Sequence, residues 1–149
     1  VADTVDRDTR SFIMSRIRSK NTRAELRVKA RLDDCGLTSF RHDARDVFGR
    51  PDFYSDRLKV AVFVDGCFWH VCPKHFKVPG THKAWWMRKL ARNVERDEEV
   101  TRKLRRNGVS VIRVWECEVL AVDGASVVVK AIRAKLKERR LRRRAKSAS

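Results

Sequence analysis

Two cysteines and two histidines stand at metal-ligand spacing in Gly66-Cys67-Phe68-Trp69-His70-Val71-Cys72-Pro73-Lys74-His75, around an adjacent aromatic pair. Cys67, Cys72 and His75 offer three borderline-soft ligands from one loop. Cys117, just past an apolar run, offers a fourth from far along the chain. Three thiolates and one imidazole suit a closed tetrahedral Zn²⁺ site that staples a loop to a sheet. His70 is a fifth candidate for four positions, so one histidine is spare. The competing readings are free buried cysteines, or a catalytic zinc, which a full ligand set disfavours. Cys35 stands apart before Gly36 and reads as a small buried residue.

Hard oxygen donors lie just upstream. Asp52 follows Pro51 at the start of one strand-like piece, and a second such piece ends at Val64-Asp65. Two neighbouring strands can bring both carboxylates to one sheet edge, where Mg²⁺ would be held and would activate water against a phosphate. Pro-Asp is also ordinary turn punctuation. Glu25 closes a capping-box pattern with Thr22, and could also turn its carboxylate towards Asp52. His70, the spare histidine, is a candidate general base or holder of a metal-bound water. Positive potential nearby is expected to lower its pKa and keep it neutral.

The aromatics Phe68, Trp69, Trp85 and Trp86 fall in two short segments, the second flanked by Lys83, Arg88 and Lys89. Core packing is the usual fate of such rings. Trp85 and Trp86 are neighbours, however, and cannot both face one helix side. Exposed rings among basic residues suit insertion between stacked bases, which is cheaper at a mismatched step. Met14 on the N-terminal arm could enter a groove similarly, or pack within a helix.

Lysine and arginine number 36 against 19 acids, a formal net charge of +17. Such an excess favours a polyanion, of which phosphate backbones are the commonest. Residues 130–146 carry +9 of it, read either as a solvated helix end or as a salt-sensitive DNA tether. No apolar run approaches the roughly 18 residues needed to cross a bilayer, and residues 1–20 show no signal-peptide core. An intracellular, cytoplasmic location away from membranes is therefore expected.

These residues need a scaffold. The pattern predicts a helix from Thr22 to Gly36 and a short strand over 39–42. A hairpin pairs 52–54 with 59–64 about Ser55-Asp56-Arg57. A long helix over 81–107 carries a possible break at Arg92-Asn93, and a strand follows over 109–115. The last helix runs from Ala125 to about Arg140 and grades into a disordered end. This order implies an α/β class with a mixed sheet flanked by helices. The expected organisation is a basic arm over 1–20, a core over 21–126, and a C-terminal helix and tail over 127–149.

Six segments in order resemble the very short patch repair (Vsr) endonucleases. They are Thr9-Arg10-Ser11 with Met14, Gly49-Arg50-Pro51-Asp52-Phe53, Gly66-Cys67-Phe68-Trp69-His70, Phe76-Lys77-Val78-Pro79, Asn93-Val94-Glu95-Arg96-Asp97 and Val114-Trp115-Glu116-Cys117. The resemblance implies a restriction-endonuclease-like fold with structural Zn²⁺. It implies a Mg²⁺-dependent nick 5′ to the thymine of a T:G mismatch left by deaminated 5-methylcytosine, in a bacterial nucleoid setting. By position, Asp52 would be the central Mg²⁺ ligand, His70 the catalytic histidine and Glu25 a supporting acid. Phe68, Trp69 and Trp86 would intercalate, with Met14 entering from the other groove and Lys89 and Asn93 on a DNA-facing helix. Where the family has Thr-His before Gly-Cys, this chain has Val64-Asp65. Val64 can still offer its carbonyl to the metal, and Asp65 would bind metal directly or act as a further catalytic acid. The thinned histidine run moves the fourth zinc ligand to His75.

The partner expected is double-stranded DNA carrying a T:G mismatch, with mismatch-repair proteins acting after the nick. A monomer is expected, since a mismatch lacks two-fold symmetry. The alternatives are a related restriction-like or defence nuclease on matched DNA, and a non-catalytic zinc-stapled DNA-binding module.

Overall fold

The computed structural model describes Arg7 and residues 21–149, so the rest of the expected arm, Met14 included, lies outside the described residues. Helix α1 spans Arg23–Asp34. Thr22 opens it by accepting from the Glu25 N–H at 3.2 Å, and Gly36 follows it at φ +71°. Ala24, Val28 and Leu32 form its buried face, while Cys35 is half-buried at its end.

Strands β1 (Arg41–His42), β2 (Phe53–Ser55), β3 (Val60–Asp65) and β4 (Ser110–Trp115) make one sheet in that order. The first three pair antiparallel, with Ser55 opposite Val60 as the hairpin reading requires. β3 and β4 run parallel, with Val62 opposite Ile112. A parallel neighbour needs a crossover, and helix α2 (Lys83–Arg106) provides it.

The strands alternate between two apolar layers. Phe53, Val60, Val62, Ile112 and Val114 pack with α1 and with Val119, Val128, Val129 and Ile132. Tyr54, Ala61, Phe63 and Val111 pack on Val100 and Leu104 of α2. Helices on both faces explain why β3 reads as an almost unbroken apolar run.

Three details differ from the sequence reading. α2 continues unbroken through Arg92 and Asn93, because Asn93 bonds outward to the Trp69 carbonyl rather than to its own backbone. A short helix α3 (Glu116–Leu120) was not anticipated. The last helix, α4, runs over Ser126–Ser147, well beyond Arg140. Its arginines, lysines, alanines and leucines are good helix formers. Arg139 also fixes it to the sheet by donating to the carbonyls of Leu58, Lys59 and Gly108.

The turn that delivers Asp52 leans directly on α2. Gly49 sits at φ +79°, and a Cβ there would lie 2.2 Å from Val100 Cγ1. Only glycine meets both conditions. Gly49→Ala should cost about 2 kcal/mol or more by urea unfolding. Gly80→Ala, where a Cβ meets nothing within 4 Å, should stay near wild type; equal effects would contradict this packing.

Candidate active site and metal centre

The end of the sheet where β2 begins and β3 and β4 finish opens into a cleft of about 1080 Å³. Glu25, Asp52, Val64, Asp65, Phe68, Trp69, His70, Asn93, Asp97 and Arg113 are among its lining. Asp52 Oδ2 accepts from the Val64 N–H at 2.7 Å, which ties the carboxylate to the next strand. Burial pushes Asp52 up to about 7; the Val64 hydrogen bond opposes this, and the charges of Glu25 and Asp65 add to it. A half-buried carboxylate crowded by others is where a divalent cation is stabilised.

Glu25 meets the cap and the cleft at once. Its oxygens accept from the Asn21 N–H at 3.0 Å and from Thr22 Oγ1 at 3.2 Å, and His42 Nε2 lies 2.9 Å away. His42 stacks on Phe53 at 4.7 Å, so the residue after Asp52 supports the group that faces Glu25. Sequence reading placed His42 on a strand but gave it no role.

Asp65 is turned to Arg113. Arg113 Nη1 donates to both Asp65 oxygens at 2.8 and 3.1 Å, while Nε donates to Thr101 Oγ1 at 3.0 Å. The guanidinium also lies 4.2 Å from the Phe63 ring centroid. Burial raises the Asp65 pKa, and Arg113 opposes it. Arg113 was missed in sequence, although a charge inside the apolar run of β4 was a legible signal.

His70 Nδ1 is hydrogen-bonded to Asp97 Oδ2, with Asp65 Oδ1 at 3.8 Å. Its burial works against charging, but the Asp97 hydrogen bond and the charges of Asp65 and Asp97 prevail, so its pKa is raised. This corrects the expectation of a lowered value. The basic excess lies elsewhere, and the groups nearest the ring are acids.

The Cys/His loop lies beside the cleft. Sγ of Cys67, Cys72 and Cys117 and a ring nitrogen of His75 all fall within 4.8 Å of one another. His70 stands outside this group. Four donors of this kind fit a tetrahedral metal. Zn–S bonds of about 2.3 Å would set sulfurs about 3.8 Å apart, and Cys72 and Cys117 are 3.8 Å apart. Burial pushes the Cys67 thiol up to about 12, whereas His75 helps draw Cys72 down to about 6 against its own burial. A divalent cation would let all three ionise. Between His70 and Cys72, Val71 holds φ +59°, costly for a β-branched residue. The Cys72 N–H bond to the Cys67 carbonyl, 2.9 Å, helps hold that turn.

Aromatic rings wall one side. Phe68 meets Trp69 at 5.1 Å and Trp86 at 5.3 Å, both edge-on. Lys89 Nζ lies 5.0 to 5.8 Å from the rings of Trp69, Trp85 and Trp86. Trp85 is the most open of the four rings at 50% exposure, whereas the resemblance singled out Trp86. Asn93 Nδ2 donates to the Trp69 carbonyl at 3.2 Å, so it braces the wall from α2.

Two predictions follow from this electrostatics. Asp52 has a folded pKa above its unfolded value, so the folded state binds the extra proton and its penalty is absent below about pH 4. The penalty grows to full size above about 7. Asp52→Asn should therefore stabilise the metal-free protein by about 1–3 kcal/mol at pH 8, with the gain vanishing towards pH 4. No gain at pH 8 in thermal unfolding would contradict the crowding. Cys117→Ser should abolish bound metal, measured by elemental analysis, and lower the midpoint of unfolding; unchanged metal content would refute the ligand group.

Comparison with known proteins then fixes the kinship. The family described as DNA mismatch endonuclease Vsr matches residues 2–75. The type II nicking enzyme V.NaeI of Lentzea aerocolonigenes is 42% identical over 124 residues, covering 80% of this chain and 74% of that protein. The DNA mismatch endonuclease Vsr of Escherichia coli (strain K12) is 40% identical over 118 residues, 78% of this chain and 75% of that one. The type II nicking enzyme V.NmeAIP of Neisseria meningitidis is 39% identical over 112 residues, 74% and 79% of the two chains. Among the described residues no helix is long and apolar enough to cross a membrane. Likeness of this degree, over about three quarters of each partner, leaves one conclusion: the chain belongs to the Vsr family of DNA mismatch endonucleases.

Proposed function

We propose that this chain nicks one strand of double-stranded DNA 5′ to the thymine of a T:G mismatch, with Mg²⁺ at Asp52 and structural Zn²⁺ at Cys67, Cys72, His75 and Cys117. Its core is of the restriction-endonuclease-like kind. The observation that carries the reading is Asp52. It is a half-buried carboxylate pinned to the Val64 N–H, its pKa raised by desolvation and by the charges of Glu25 and Asp65, in the lining of a cleft walled by Phe68 and Trp69.

Chemically, a water oxygen adds to phosphorus and gives up a proton to solvent, the bond to the leaving oxygen breaks, and the leaving oxygen takes up a proton. Magnesium, when bound, offsets the charge that builds on the phosphate and eases loss of the water proton. Asp52 and the Val64 carbonyl are the groups placed to hold it, and Glu25 keeps negative charge beside them. Asp97 locks Nδ1 of His70, so Nε2 is the atom left to face substrate. The acids around the ring favour its charged form, which suits a proton donor to the phosphate or leaving oxygen. Arg113 holds Asp65 in place and keeps that carboxylate as a partner for the imidazolium rather than a free metal ligand. Phe68, Trp69 and Trp86 would enter the base stack, where a mispaired step is cheapest to open. Met14 would act from the arm.

Asp52→Ala should bind a T:G duplex as tightly as wild type in a gel-shift titration, yet nick it roughly a hundredfold more slowly or worse. Nicking retained at the wild-type rate in Mg²⁺ would remove Asp52 from the mechanism. Trp69→Ala should shrink the preference for T:G over T:A duplexes by about 1–3 kcal/mol in competitive binding; an unchanged preference would return that ring to a packing role.

A further inference from the structure

The basic end of α4 has no place in the cleft. Residues 130–146 hold ten basic side chains against one acid. The first turns of α4 are core, through Val128, Val129 and Ile132. Arg139 then anchors the helix to the carbonyls of Leu58, Lys59 and Gly108. Those carbonyls mark the starts of β3 and β4, whereas Asp52, Asp65 and Trp115 mark the cleft end. The length of β3, five steps of about 3.3 Å, separates the two ends. That exceeds the Debye length of about 8 Å at physiological salt, so the two charge fields act separately.

Beyond Arg139 the helix overhangs the β2–β3 turn and forms a groove of about 670 Å³. Arg57, Arg140, Arg143 and Arg144 line it. Among the described residues none of these four is paired with a carboxylate; the tail's one acid, Glu138, is taken by Lys135 at 3.5 Å. Four unneutralised guanidiniums, one from a turn and three from a rigid helix, match a row of phosphates. Arg139 spends its own donors on holding the helix at that angle.

We propose that this groove is a second DNA-binding surface, which grips the phosphate backbone of another duplex segment without reading sequence while the cleft holds its own. The occupant follows from charge complementarity and from the polyanion the family acts on. The cleft needs the DNA bases, whereas this surface needs only phosphates. Function follows: an enzyme hunting rare lesions would stay tethered to one segment while sampling another.

The test is bridging. A biotinylated T:G duplex, or a biotinylated matched duplex, is fixed on beads, loaded with the full chain, and offered a fluorescent matched duplex. Wild type should retain the fluorescent duplex. The variant Arg140→Gln/Arg143→Gln/Arg144→Gln should retain at least about fivefold less. Its salt slope for matched DNA should fall by about 3. Its nicking of a short T:G duplex at saturating protein should be unchanged. The matched variant Arg140→Lys/Arg143→Lys/Arg144→Lys should bridge like wild type, which separates charge from helix integrity. Bridging by the Gln variant at the wild-type level, or no bridging by wild type, overturns the proposal. Parallel loss of nicking and bridging in the Gln variant also overturns it, because the arginines would then belong to the cleft's own DNA track. The matched-bead arm reads the groove even where T:G nicking fails, so the two failures are distinguishable.

Discussion

One hydrogen bond organises this molecule: Asp52 Oδ2 to the Val64 N–H, at 2.7 Å. It lies where β2 begins and β3 nears its end, so it sets the carboxylate between two strands fixed by the sheet. The cost is visible. Asp52 is driven up to about 7 by burial, and Glu25 and Asp65 worsen the crowding. A fold tolerates such a cluster only when surrounding structure over-determines it. Here the surroundings are Gly49 locked against Val100, Glu25 tied into the cap of α1, and Asp65 clamped by Arg113. Stability given up at the cleft is the expected signature of a site built for a cation.

The Cys/His group solves a different problem. The loop from Gly66 to Gly80 holds little regular structure, yet it must carry Phe68, Trp69 and His70 rigidly. Cys117 reaches it from the first turn of α3, directly after β4, and Glu116 accepts from the Cys67 N–H at 3.1 Å. A metal at that point would connect loop, strand and helix at a cost well below that of a larger core. The aromatic wall and the His70–Asp97 pair both lie on or against the loop that this group would pin, so under the proposed function mismatch sensing and phosphate chemistry would share one mechanical support.

Much of this was legible in the residues. The Thr22 and Gly36 signals placed α1, the apolar runs placed β3 and β4, and ligand spacing picked out Cys67, Cys72, His75 and Cys117 with His70 left over. What escaped detection depends on tertiary neighbours. Asp97 gained its meaning only when α2 brought it to His70, and Arg113 only when β4 lay parallel to β3. The same juxtaposition reversed the expected shift of His70, because net charge is a property of the whole chain and a pKa answers to the nearest groups. The persistence of α4 was hidden for a related reason. Its basic composition resembles a frayed end, whereas Leu136 packing and the Arg139 clamp are long-range contacts.

The most direct measurement is a strand-resolved cut map. A duplex with one T:G mismatch in a methylation-site context, labelled on each strand in turn, is incubated with the full chain across a Mg²⁺ titration, beside T:A and C:G controls. A single break 5′ of the mispaired thymine, dependent on Mg²⁺ and missing from both controls, is the result this account predicts. Cutting of all three duplexes alike, or of both strands, would contradict it.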